Sequence, residues 1–222
     1  MKQAVEFNHH HADTMIIGAR KKQHYASYLH VHKGAALIRL GKVELPVCAN
    51  QGFWLPIECL NAVTVMKGSQ VSTLNFSVRT IALLPNKAGY IESSPIMTGI
   101  IEQLHMRKQN DGVQWDGAYG RLLRCARDYL TTVSPHDSNN DQFRQLVASI
   151  EALAKGHALP EGIGRALESA LGFSTEDIAI QLRVREWVRL YKSGRSAKKI
   201  ALAVSLSESE VEQLLSQVAG IN

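Results

Sequence analysis

The chain of 222 residues has no run of eighteen apolar residues, so nothing in it reads as a membrane-spanning helix. Its opening stretch, MKQAVEFNHHHAD, is polar and has no apolar signal core. That argues against export and sets the expectation of a cytoplasmic protein. Cysteine is scarce: Cys48, Cys59 and Cys125 lie far apart, odd in number and without a CxxC. This excludes a disulfide scaffold or a zinc pattern and reads as three reduced packing thiols. No internal repeat or low-complexity segment is present. Acid is scarce in the N-terminal part. The first ninety residues hold four acidic against ten basic residues, whereas from Leu146 onward there are nine of each. The formal charge of +5 therefore points to an anionic partner, yet its distribution is the reverse of a basic nucleic-acid-binding tail.

What is present is apolar material, 45% of residues, enough for a real core. The first half divides into short runs, DTMIIGA, QHYASYLHV, GAALIRL, KVELPVC, GFWLP, NAVTVM and QVSTLNFSV. Gly34, Gly41, Asn50-Gln51-Gly52 and Lys67-Gly68 separate them. Strands of this length at a spacing of about eight to twelve residues predict a sandwich or a small barrel. After Pro85 the spacing becomes helical. Ser93 and Ser94 ahead of Pro95 make a helix start, because a proline in the first turn lacks only an N–H that has no partner there. That helix is expected to reach about Lys108. Another is expected from about Asp116 to Val133, with Leu122, Leu123, Ala126, Tyr129 and Leu130 on one face. Residues 134–141, SPHDSNND, are polar and turn-rich and read as a linker. Everything beyond is expected to be helical.

The strongest local signal is GRSAKKIALAVSLSESEVEQLLSQV. A helix-turn-helix needs two short helices crossing steeply, with a small residue at the crossing and apolar residues fixing the angle. Ser196 can cap the first helix, Ile200 begins the core, and Ala201 is the small residue. Val204 and Leu206 bracket the turn at Ser205, and Val211, Leu214 and Leu215 complete the core. Ser207 with Glu210 forms a capping box that starts the second helix where the motif requires it. The turn position favours positive φ, which serine tolerates less well than glycine. A helical hairpin without a nucleic-acid role fits the same spacing. Upstream, Ser174 and Asp177 cap a long helix, STEDIAIQLRVREWVRLYKSG. From Arg183 to Lys199 there are seven basic residues and one acid, Glu186; a solvated helix face would explain some of them, and seven leading into the motif read as phosphate contacts.

With these residues in view, ALESALGFSTEDIAIQLRVREWVRLYKSGRSAKKIALAVSLSESEVEQLL resembles the C-terminal half of the AraC/XylS family of transcriptional regulators. The matching elements are the Leu171-Gly172-Phe173-Ser174 turn, the Gln181-Leu182-Arg183 step, and Gly194-Arg195-Ser196 leading into Ile200-Ala201. In that family a linker helix joins two helix-turn-helices whose recognition helices enter major grooves. The stretch YLHVHKGAALIRLGKVELPVCANQGFWLPIECLNAVTV is similar to the family's cupin sensor domain. Gly34 and Gly41 fall in turns, and Gly52 to Pro56 on the strand after them. The first helix-turn-helix would occupy roughly residues 150–170 and departs from the pattern, because Gly162 and Gly164 each weaken a helix by about 1 kcal/mol.

The resemblance implies an α+β, multidomain chain: a cupin-like β-barrel at 1–90, a helical dimerisation segment at 91–133, a linker at 134–141 and an all-α helix-turn-helix domain at 142–222. It implies double-stranded DNA as partner, a homodimer through Leu123, Ala126 and Leu130, a small-molecule effector, and contact with RNA polymerase. Groove-facing positions are then Ser207, Glu208, Ser209, Glu212 and Gln213. Arg183, Arg195, Ser196, Lys198 and Lys199 approach phosphates, with Arg165 on the degenerate first unit. His24, Tyr28, His30, His32, Arg39 and Trp54 are expected to line the effector pocket. His24, His30 and His32 share a parity, and His30 and His32 form the HxH of metal-dependent cupins. The histidine that a second cupin motif needs near Asn61 is missing, so no metal and no cofactor are expected. No nucleophile or general base then remains for catalysis. A regulator acting through protein contacts, and a cupin-fold enzyme, stand as the alternatives.

Overall fold

Period-two alternation along the first ninety residues builds ten strands in a computed structural model that describes residues 4–92, 94–110 and 113–221. They are β1 (Val5–His11), β2 (Ile16–Ile17), β3 (Lys21–Lys22), β4 (Tyr25–Lys33), β5 (Ala35–Leu40), β6 (Val43–Cys48), β7 (Gly52–Leu55), β8 (Leu60–Val65), β9 (Gln70–Ser77) and β10 (Gly89–Ile91). One sheet runs β1-β9-β4-β7-β10 and the other β2-β8-β5-β6, with β3 also paired to β8. All pairings are antiparallel. The expected barrel is therefore a two-sheet sandwich. Neither strand order returns on itself, and among the described residues no closed barrel forms.

Both faces of the first sheet are covered, so β7 is apolar at odd and even positions alike, while β1, β4 and β9 keep polar residues at several inner positions. Leu29 and Val31 of β4, Phe53 and Leu55 of β7 and Val71 of β9 meet Ala36, Ile38, Val47 and Val65 of the second sheet. The opposite face, with Phe7, Tyr28, Trp54, Leu74 and Phe76, is covered by α1 (Pro95–Asn110) and α2 (Ala118–Leu130). Gly52 is needed there, because a Cβ would lie 2.4 Å from the Tyr28 hydroxyl. The second sheet is two-sided as well. Ala35, Leu37 and Met66 pack against α3 (Asp141–Ala154), α4 (Glu161–Leu171) and α5 (Thr175–Lys192). A last cluster joins α5 to α6 (Ala197–Val204), α7 (Glu208–Ala219) and Met15.

Helices begin and end within a few residues of the expected positions. The start at Ser93 lies outside the described residues. The C-terminal part is helical but not a separate layer, since its core is continuous with the second sheet. Nor is 134–141 a free tether: His136 and Tyr90 exchange two backbone hydrogen bonds at 2.9 and 3.0 Å. The three residues expected to form a dimer interface lie in the core of the single chain. Leu123, Ala126 and Leu130 are each 0% exposed, because the apolar stripe of α2 is consumed by α1 and the first sheet within one chain. Among the described residues no helix is long and apolar enough to cross a membrane.

Candidate nucleic-acid interface

Helices α6 and α7 are joined by three residues, Ser205 to Ser207, the short turn that a helix-turn-helix uses. Ser205 takes the left-handed conformation at φ 56° and closes α6, so serine accepts here the strain that glycine would avoid. The Ser196 side chain caps α6 by accepting from the Lys199 N–H. Ser207 accepts from the Glu210 N–H at 3.2 Å, while the Glu210 carboxylate accepts from the Ser207 N–H at 2.8 Å, completing the capping box. The Ser207 hydroxyl also donates to Glu210 Oε2 at 2.6 Å, and this bond first, then the one from the Ser207 N–H, holds the Glu210 carboxyl below its ordinary range. Ile200, Ala201, Val211 and Leu215 are buried against Val184, Trp187 and Val188 of α5, which sets the crossing of the two helices.

Ser207, Glu208, Ser209, Glu212 and Gln213 are all exposed on α7. Four of them, Glu208, Ser209, Glu212 and Gln213, share an open hollow with Tyr191, Ser196 and Ala197. Of the seven basic residues between Arg183 and Lys199, two are occupied internally. Arg189 pairs with Glu186, and Arg185 makes a two-pronged bond to Glu44 of β6 at 2.5 and 2.9 Å. Arg183, Lys192, Arg195, Lys198 and Lys199 are exposed and have no side-chain partner among the described residues. The acidic outward face of α7 thus lies beside a basic stretch that runs from the end of α5 into the first turn of α6.

The first unit is different. Helix α4 forms despite Gly162 and Gly164, and Gly164 is buried where an added Cβ would lie 3.1 Å from the Thr175 hydroxyl. Its departure lies in the connection, since six residues, 155–160, separate α3 from α4 where the motif uses three or four. Arg165 is exposed on α4 and engaged with Glu161 one turn earlier. One element of a two-motif arrangement is therefore geometrically ordinary and the other is not.

The six expected pocket residues do not share a cavity. Tyr28 and Trp54 face away from the space between the sheets, in the core under α1 and α2. His30 and His32 contact each other on that outward face, with rings 4.7 Å apart. His24 precedes β4 and bonds Glu58 at 2.7 Å, and Arg39 is exposed on the second sheet. The physical reason is that parity groups residues on a face without saying which face is inner, and here both are covered. The space between the sheets is instead a cavity of about 390 Å³ whose polar lining includes Asn8, Tyr25, Ser27, Asn61, Thr73 and Asn75. The odd positions of β4 were the sequence signal for it, since Tyr25 and Ser27 alternate with Ala26 and Tyr28. Among the described residues no group of three His, Cys, Asp or Glu side chains is arranged to hold a metal ion.

The helical half is locked to the sandwich. The Phe173 ring lies over the turns at Gly34 and Gly68, where added Cβ atoms would sit 2.8 and 3.4 Å from it. Gly34 has φ +74° as well, so both conformation and contact demand glycine. The Lys67 N–H donates to Gln181 Oε1 at 2.8 Å, Lys67 Nζ to the Gln217 carbonyl at 2.8 Å, and the Met15 N–H to the Val218 carbonyl at 2.7 Å.

No known protein family and no curated protein matches the chain. Among solved structures, the chain is similar to ToxT from Vibrio cholerae O395 bound to (E)-4-(8-methylnaphthalen-1-yl)but-3-enoic acid. Identity is 12%, 97% of this chain and 95% of that one are covered, and the TM-score is 0.38. It is similar to the AraC-like transcriptional activator CuxR at 13% identity, with 86% and 81% covered and a TM-score of 0.40. The vicilin from Solanum melongena is 11% identical over 63% of this chain and 38% of that one, with a TM-score of 0.28. Likenesses this distant fix no family for the chain.

Proposed function

We propose that the chain is a DNA-binding transcriptional regulator of the AraC/XylS type, in which α6 and α7 form the working helix-turn-helix. The observation that carries this reading is the three-residue turn between two capped helices, flanked by five exposed, unpartnered basic side chains. The cationic stretch supplies attraction to phosphates, and α7 presents Ser207, Glu208, Ser209, Glu212 and Gln213 to base edges. A glutamate there accepts from cytosine N4. A small molecule between the sheets is the natural effector, because its cavity abuts strands that continue into the turns under Phe173. A homodimer built on α1 and α2 would use their outer faces, where Ile96 and Met106 are exposed.

Selection of bound fragments from random genomic DNA tests the reading. Lys198→Ala with Lys199→Ala should weaken binding on every sequence and reduce the salt slope by about one unit for each phosphate no longer neutralised. Glu212→Ala should change sequence preference more than affinity. If the full chain retains no fragment even at low salt, DNA binding is dismissed. A second reading then stands on its own observation: α7 is acidic outside, and Leu202 of α6 is 76% exposed, a surface suited to protein contact.

A further inference from the structure

Four imidazoles meet under α1. His9 of β1 meets His105 of α1 in a tilted arrangement with ring centroids 3.9 Å apart, and lies 5.3 Å from His32. His32 is 4.7 Å from His30, which in turn stacks beside Tyr28. His32 is the extra residue of a bulge in β4, since Val31 pairs with Val71 and Lys33 with Gln70. Bulges re-aim side chains, and this one brings His32 Nε2 to 2.8 Å from the Ser72 hydroxyl. His9 Nδ1 reaches the same hydroxyl at 3.0 Å. A single buried hydroxyl serves both rings when one nitrogen donates to it and the other accepts its proton. If both rings carry two N–H groups, that proton loses its acceptor. His30 is 2% exposed, and among the described residues its Nδ1 has no hydrogen-bond partner.

The surroundings offer the charged forms almost no compensation. From α1, the exposed Glu102 carboxylate acts on His32. Lys108 of the same helix places another cation nearby, donating to the Phe7 carbonyl at 2.8 Å. Further along β1 are His10 and His11, the latter 3.4 Å from Asp13. The β9 partner of the cluster, Ser72, is uncharged, and Tyr129 of α2 acts on Tyr28. Two imidazolium rings about 4 Å apart repel by several kcal/mol at the effective dielectric of a protein surface.

We propose that His9, His30 and His32, with His105 of α1 seated against them, form an acid-sensitive clasp, which holds α1 on the first sheet while the three strand histidines are neutral and releases it when they take up protons. The titration direction agrees. Burial first, then the neighbouring histidines, push His9 and His30 down to about 4, and burial lowers His32 despite the opposing pull of Glu102. A histidine depressed in the docked state binds fewer protons than when released. Docking is therefore fully supported above the ordinary value of 6.5 and weakens as the pH falls from there towards 4. At pH 5 the depressed His9 and His30 each favour release by on the order of tenfold.

Hydrogen exchange on the full chain, corrected for the intrinsic pH dependence and run with chelator throughout, tests this without reference to DNA. Amides of α1 should lose tenfold or more of their protection between pH 7.5 and pH 5, while those of α5 stay unchanged. His9→Gln with His32→Gln should flatten the response. Should that pair fail to fold, His105→Gln alone, at a half-buried helix position, should remove a measurable part of it. Equal protection of α1 at both pH values, or a His105→Gln chain that responds like the parent, overturns the clasp.

Discussion

At the residue scale the sharpest lesson is Glu44. The sequence marks it only as a carboxylate on a strand, yet it receives both prongs of Arg185 from a helix 141 positions away, with its side chain 16% exposed. Removing one partner of such a pair strands the other charge in a poorly solvated place, which is worth more than the pair itself. Glu44→Ala should lower the free energy of unfolding by roughly 2–4 kcal/mol. Glu44→Ala with Arg185→Met should recover part of the loss, and urea denaturation of the two chains decides it. The histidines teach the complementary point. Their shared parity was legible, and His30 and His32 do lie together. Their side of the sheet was not legible, because a strand covered on both faces carries the same alternation whichever way it is turned.

At the element scale, the capped helices were the most legible part of the chain. Ser174, Ser196 and Ser207 each accept from a backbone N–H as their spacing predicts, because capping is settled within four residues and needs no knowledge of the fold. The role of α2 was not legible. Its apolar stripe looks like surplus when the sheet beneath is imagined alone, and it is fully used once α1 and Trp54 are in place. Leu123→Ala should therefore destabilise the monomer by about 2–5 kcal/mol, the range for an emptied core position. Sedimentation of the variant at a temperature where it stays folded should match the parent. A clean shift to a smaller species without loss of stability would return Leu123 to an interface.

At the scale of the whole molecule, sandwich and helices share a core, and the contacts that join them could not be read from local patterns because they connect residues far apart in the chain, 114 and 141 positions for Lys67–Gln181 and Glu44–Arg185. Phe173 is the clearest of these. Phe173→Ala should remove several kcal/mol of packing, about 3–5 for a fully buried ring and less for this half-buried one. It should also raise proteolysis within 134–141 while leaving the α6–α7 unit folded. Unchanged cleavage there would mean that Tyr90 and His136 hold the joint without it. The seat of Phe173 has a further consequence. Gly34 lies where the chain crosses from the first sheet to the second, between β4 and β5, and Gly68 where it crosses back, between β8 and β9. A single ring resting on both crossings works as a feeler gauge between two plates. Any guest that spreads the sheets by a fraction of an ångström must tilt that ring, and with it the corner from which α5 sets out towards α6 and α7.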